Sequence, residues 1–239
     1  MKLRDKVALV TGGSRGIGRA IAAAYAREGA QVVMTARERG SLEAAAGEIR
    51  KAGGRVVPLQ ADVADRHQVK NLSEEVHRRF GRLHVLVNNA SLLGPRVPIQ
   101  EYPEEAWEAV IAVNLTGPFF VIKSCLPLMA AAGEGSIINV SSGVGRIGKP
   151  GWGAYAASKF GLEGLTQVLS AELEPLHIRV NAVNPGGTRT AMRAAAYPEE
   201  DPMTLPIPEQ ITPVFLYLAS DESRHMTGQS LEARDFLSR

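Results

Sequence analysis

"TGGSRGIG" fills residues 11–18. It follows the apolar β-branched run "VALVT" (7–11) and leads into "IGRAIAAAYAREG", whose small and apolar residues fit a helix. Glycine loses more conformational freedom on folding than any other residue, so four in eight positions need a physical reason. A tight turn alone would supply one. Placement between a strand and a helix supplies a stronger one. The first N–H groups of a helix lack intrahelical partners and carry partial positive charge, and a turn without Cβ atoms lets an anion approach them. The stretch therefore predicts a strand–turn–helix unit with a diphosphate against the turn.

The same alternation continues outward. Short apolar strands are expected at 7–11, 30–35, 55–60, 84–89, 136–141 and 178–185, with helical segments at 17–28, 41–52, 66–80, 103–131 and 153–175. Apolar strands separated by helices predict a parallel sheet covered on both faces. Repeated βα units make an α/β, doubly wound fold. No linker divides the 239 residues, so one domain spans 1–239. The one compositional break, 186–208, collects Pro198, Pro202, Pro206 and Pro208, which rules out a long regular helix. It follows a strand, where open sheets bind ligands, and is read as a short substrate lid.

Totals narrow the function. A net charge of +2 without a basic block argues against nucleic acid. The lone Cys125 excludes an internal disulfide and fits a reducing compartment. The five histidines and this cysteine show no ligand spacing, so no metal site is expected. The N-terminal apolar run is too short for a signal peptide, and no run of about 18 apolar residues is evident. A cytoplasmic protein that does not span a membrane is expected.

The glycine spacing departs from G-x-G-x-x-G. Gly12, Gly16 and Gly18 give T-G-x-x-x-G-x-G. Then follow Asp62-Val63, "NNAS" at 88–91, Asn114, "SS" at 141–142, Tyr155-x-x-x-Lys159 and "NPGG" at 184–187. Taken in order, these motifs resemble the short-chain dehydrogenase/reductase family over most of the chain. The resemblance implies a Rossmann-type fold and hydride transfer between a nicotinamide dinucleotide and a carbonyl or secondary alcohol. "SIINVSS" and "NPGG" look like 3-oxoacyl thioester reductases, whereas "TRTAMRAAAYPEEDP" looks more like bacterial oxidoreductases of unassigned substrate.

An acid at the end of the second strand would bond the adenosine ribose and repel a 2′-phosphate. Here Ala36 stands there and Arg37 follows, with Arg15 a second guanidinium in the glycine turn. Arginine offers phosphate a fixed charge and a planar fork, so NADP(H) is favoured over NAD(H). The resemblance assigns the cofactor Gly12, Ser14, Arg15, Gly16, Ile17 and Gly18 in the turn, and Asp62 and Val63 at adenine. It adds Asn88 and Ala90 beside adenosine, and Pro185, Gly186, Thr188 and Thr190 around nicotinamide. "NNAS" places Ser91 where glycine is commoner, and Thr188 replaces a more usual aliphatic residue.

Tyr155 and Lys159 stand four apart on a predicted helix and share a face. A free phenol titrates near 10, and a neighbouring ammonium is expected to lower it. The phenol then exchanges a proton with the substrate oxygen. By resemblance Ser142 holds that oxygen, Lys159 also holds the nicotinamide ribose, and Asn114 fixes a relay water. Leu92, Leu93, Val144, Trp152 and Tyr197 suggest an apolar substrate pocket. Small residues Ala154, Ala156, Ala157, Gly161 and Gly164 fit helix pairing between subunits, hence a homodimer or homotetramer. The tail "TGQSLEARDFLSR" lacks the "DGG" common in the family. The competing function is a catalytically silent NADP-binding regulatory or structural subunit.

Overall fold

The structure, a computed structural model, describes residues 1–237. Seven parallel strands form one sheet: β1 (Val7–Thr11), β2 (Gln31–Ala36), β3 (Arg55–Gln60), β4 (Val85–Asn88), β5 (Gly135–Val140), β6 (Ile178–Asn184) and β7 (Ser230–Glu232). Their order is β3-β2-β1-β4-β5-β6-β7. The order reverses between β1 and β4, which opens a crevice at the strands' C-terminal ends.

Helices α1 (Gly16–Arg27), α2 (Arg39–Lys51) and α8 (Thr212–Ala219) pack on one face. Tyr25 of α1 is fully buried there and donates a hydrogen bond to the Phe215 carbonyl at 2.9 Å, joining α1 to α8. The other face carries α3 (Arg66–Phe80), α5 (Gly117–Ala130) and α6 (Gly153–Glu172), with α4 (Glu104–Ile111) packed against α6. Both faces being covered explains why β1, β4 and β5 are buried at every position.

Three details depart from the sequence expectation. The helical segment expected at 103–131 is interrupted by a π-turn, Ala112–Thr116, which separates α4 from α5 and carries Asn114. The continuous stretch Glu104–Ala130 is, by length and composition, long and apolar enough to cross a membrane, contrary to the expectation above. Here Val113, Val121, Ile122, Cys125 and Met129 from it pack in the core. Finally β7 has only three residues, too few for a detectable alternation.

The lid contains one short helix, α7 (Ala191–Ala196), and a turn at Pro202–Thr204. Two arginines tie it together. Arg189 donates to the carbonyls of Pro202 at 2.8 Å and Leu205 at 3.2 Å. Arg193 forms a two-point pair with Glu200, both contacts at 2.6 Å.

Candidate active site

The glycine turn is built as its spacing requires. Gly12 (φ +65°) and Gly16 (φ +55°) take left-handed backbone that favours glycine. A Cβ on Gly12 would stand 2.8 Å from Asn89 Nδ2 and 2.9 Å from Ala90 Cα. One on Gly18 would run into the Gly12 carbonyl and the Asn89 amide. No side chain caps α1, whose N-cap is Arg15, so its first N–H groups remain available to an anion. Beside Gly16, the methyl of Thr190 would lie 3.5 Å from an added Cβ, which brings the lid's first residues against the turn. The crevice thus has the positive pole and bare backbone that a diphosphate needs.

At the far end, Arg15 and Arg37 are both exposed, and neither forms an ion pair among the described residues. Gln60 Nε2 donates to the Arg37 carbonyl at 2.8 Å, which anchors that backbone. Asp62 accepts from Ala64 N–H through Oδ1 at 2.9 Å, leaving Oδ2 for a ligand amino group. Val63 is buried against Gly117, where a Cβ would come within 3.0 Å of it.

The Asn88 side chain turns away from the groove, which leaves its main chain to line it. The side chain is buried and donates to Asn139 at 2.9 Å, and Asn139 in turn donates to Thr166 of α6. The neighbouring Asn89 faces the groove instead, donating to the carbonyls of Thr11 at 2.9 Å and Gly12 at 3.2 Å. Side chains alternate along a strand, so one position decides which amide meets the glycines. Thr11 is another residue the motifs did not reveal: its Oγ1 accepts from Asn89 N–H at 3.0 Å and Ala90 N–H at 3.1 Å.

Helix α6 carries Tyr155 and Lys159 toward the end of β5. Gly145 lets the loop after β5 press on that helix, since a Cβ there would stand 2.9 Å from Lys159 Cβ. The Tyr155 hydroxyl lies near the side chains of Ser142 and Ser91, without a hydrogen bond of normal geometry to either. Lys159 is 2% exposed, donates to the Val140 carbonyl at 2.7 Å, and holds its ammonium 5.5 Å from the Tyr155 ring centre. Burial pushes Lys159 down to about 8, opposed by the charge of Glu163 one turn along. Tyr155 behaves opposite to expectation. Burial raises its phenol above the ordinary value, and the two serine hydroxyls offset only part of that rise. Removing a phenoxide from water outweighs the neighbouring donors.

The Asn114 side chain is committed to protein. It accepts from Leu92 N–H at 2.7 Å and donates to the Leu92 carbonyl at 2.8 Å and Ser158 Oγ at 3.1 Å. Only an Oδ1 lone pair and the main chain are left for a water.

In the loop after β6, Gly186 takes φ +67°, and its N–H donates to Asn184 Oδ1 at 3.0 Å, shaping the turn. Thr188 is buried with its hydroxyl on the Pro185 carbonyl at 3.1 Å. The Thr190 hydroxyl caps α7, accepting from Arg193 N–H at 3.1 Å. Leu93, Val144, Trp152 and Tyr197 cluster with Tyr155 as expected, whereas Leu92 turns into the sheet core. The pocket is not purely apolar. Arg96 lies with its guanidinium carbon 4.6 Å from the Trp152 ring centre and 4.9 Å from that of Tyr197, and donates to the Ala196 carbonyl. Arg193 stacks on Tyr197 at 3.8 Å. No sequence motif marks Arg96, because its role depends on the lid folding back over Trp152.

Known proteins resemble this chain closely. The short chain dehydrogenase pattern matches residues 6–201. The uncharacterized oxidoreductase YciK of Escherichia coli strain K12 is 41% identical, covering 97% of this chain and 93% of its own. A 3-oxoacyl-[acyl-carrier-protein] reductase of Thermotoga maritima is 42% identical, covering 96% of each chain. A crystal structure of a short-chain dehydrogenase from Shigella flexneri 2a, complexed with NADP, superposes with a TM-score of 0.94 at 40% identity and 98% coverage of both chains. One from Escherichia coli CFT073, complexed with NADPH, gives 0.94 at 41% identity, again over 98% of both. With the fold, the glycine turn and the family pattern in agreement, the chain belongs to the short chain dehydrogenase family of oxidoreductases.

Proposed function

We propose that this chain moves a hydride between NADP(H) and a carbonyl or secondary alcohol, with Tyr155 carrying the proton. The observation that carries the proposal is the closeness of the Tyr155 hydroxyl to Ser142 above a buried Lys159 ammonium, at the sheet end where the glycine turn lies. The NADP-bound relatives and the free guanidinia of Arg15 and Arg37 support the phosphorylated cofactor.

The residues of the crevice fit that cofactor. The α1 N-terminus and bare glycines would hold the diphosphate, Arg15 and Arg37 the 2′-phosphate, and Asp62 the adenine amino group. Pro185, Gly186 and Thr188 would flank nicotinamide. Bound there, it supplies or accepts the hydride and, when oxidised, adds a positive charge.

In reduction Tyr155 gives its proton to the carbonyl oxygen as charge develops there, and Ser142 donates a second hydrogen bond to the same atom. In oxidation both transfers run backward, and Tyr155 must first lose its proton. Lys159, at about 8, remains largely an ammonium at neutral pH. Oxidation is therefore expected to accelerate as pH rises through the phenol's range, and reduction to slow. Tyr155 is 9% exposed and packs with Trp152 and with Tyr197 of the lid, which places both rings beside the substrate's path. The lining favours an apolar body beside the carbonyl.

The test is turnover of NADPH with aldehydes, ketones, diketones and 3-oxoacyl thioesters. Failure across the panel with tight NADPH binding would favour the silent subunit.

A subunit contact is also proposed. Ala154 and Ala156 are buried within the subunit, and a Cβ on Gly161 would meet Leu115 at 2.7 Å, so their smallness serves internal packing. The free face of α6 instead presents Ala157, Phe160, Gly164 and Val168, with Phe160 44% and Val168 53% exposed. Phe119 of α5 is also exposed, at 46%. Val168→Asp is expected to shift the protein from dimer or tetramer toward monomer in light scattering, with its thermal transition retained by the separate core. An unchanged mass would exclude this face.

A further inference from the structure

Two hydroxyls face the Tyr155 phenol, and only Ser142 belongs to the expected site. The second, Ser91, comes from the loop after β4. Its Oγ is enclosed and has no hydrogen-bond partner of normal geometry, yet it lies close enough to the phenol to favour the ionised form. An enclosed hydroxyl without a partner is costly and rare.

The backbone on both sides of Ser91 is fixed. Thr11 Oγ1 holds the N–H groups of Asn89 and Ala90, at 3.0 and 3.1 Å. The Asn114 amide brackets Leu92, accepting from its N–H at 2.7 Å and donating to its carbonyl at 2.8 Å. Clamped on each side, Ser91 retains little freedom beyond rotation of its own side chain. We propose that Ser91 is a positioning residue for Tyr155: its hydroxyl, idle while the phenol is neutral, donates a hydrogen bond to the phenolate oxygen. This rests on Tyr155 being the proton carrier.

A bond to a charged acceptor is stronger than one to a neutral phenol, so it would form mainly when the proton leaves. The clamp on Leu92 gives Asn114 a part in the same arrangement, since loosening it would release the loop bearing Ser91.

The test is ultraviolet titration of tyrosinate in the protein saturated with NADP+. Subtracting the Tyr155→Phe profile removes the other four of the five tyrosines. In Ser91→Ala, and in Ser91→Gly should the first variant fold poorly, the Tyr155 midpoint is expected to move upward by about one pH unit. NADPH affinity and the thermal transition should remain near the parent values. An unchanged midpoint in a folded variant overturns the role of Ser91 alone. Turnover that survives Tyr155→Phe overturns the proton-carrier reading, and the role of Ser91 with it.

Discussion

Tyr155→Phe is expected to lower kcat by roughly three orders of magnitude while NADPH binds as before. The aromatic ring is held by packing, not by its hydroxyl. It lies 5.6 Å from the Trp152 ring centre at 60°, with the Lys159 ammonium near it, and phenylalanine can keep both contacts. What disappears is the one oxygen that lies near Ser142 and can pass a proton to substrate. Water is a poor replacement, because it is not held at a fixed point beside the substrate oxygen as the phenol is. Steady-state rates with the best carbonyl substrate and a fluorescence titration with NADPH check the two halves separately. Retained turnover would take Tyr155 out of the mechanism. Lost binding would mean that the substitution had disturbed the crevice.

The sequence was most legible where backbone geometry leaves few choices. The turn needs left-handed φ at Gly12 and Gly16 and an empty Cβ position at Gly18, so those glycines point to one local structure. The buried strands were equally plain, because a sheet covered on both faces removes the polar alternation that would otherwise obscure them.

Legibility failed where one residue's direction mattered. Asn88 and Asn89 are chemically identical neighbours, and only strand alternation sends the first to Asn139 and the second to Gly12. Leu92 and Leu93 part in the same way, one into the core and one toward Tyr155. The small residues of α6 suggested subunit contact, but Gly161 yields space to Leu115 of its own chain. The spacing of Tyr155 and Lys159 was informative about proximity and misleading about sign. It carried no measure of how deeply both groups lie, and depth raises the phenol and lowers the ammonium. Arg96 reaches Tyr197 from about a hundred positions away in sequence, beyond any local pattern.

Arg37→Asp is expected to reduce the NADPH-over-NADH ratio of kcat/KM by about a hundredfold or more. Two effects act in the same direction. The variant loses a charge-assisted donor to the 2′-phosphate, and it gains a carboxylate that repels that phosphate while accepting from a ribose hydroxyl. The substitution acts at a fixed point of the chain, since Gln60 holds the Arg37 carbonyl and β2 ends one residue before it. Arg15 remains on the neighbouring turn and should retain part of the preference, so Arg15→Ala in the same background is expected to lower the ratio further. Salt provides an independent check. Exposed charge pairs weaken as ionic strength rises, so the parent's preference for NADPH should shrink with added salt. In Arg37→Asp the sign reverses, because screening relieves repulsion. A ratio unchanged by the substitution and insensitive to salt would move cofactor selection away from the end of β2.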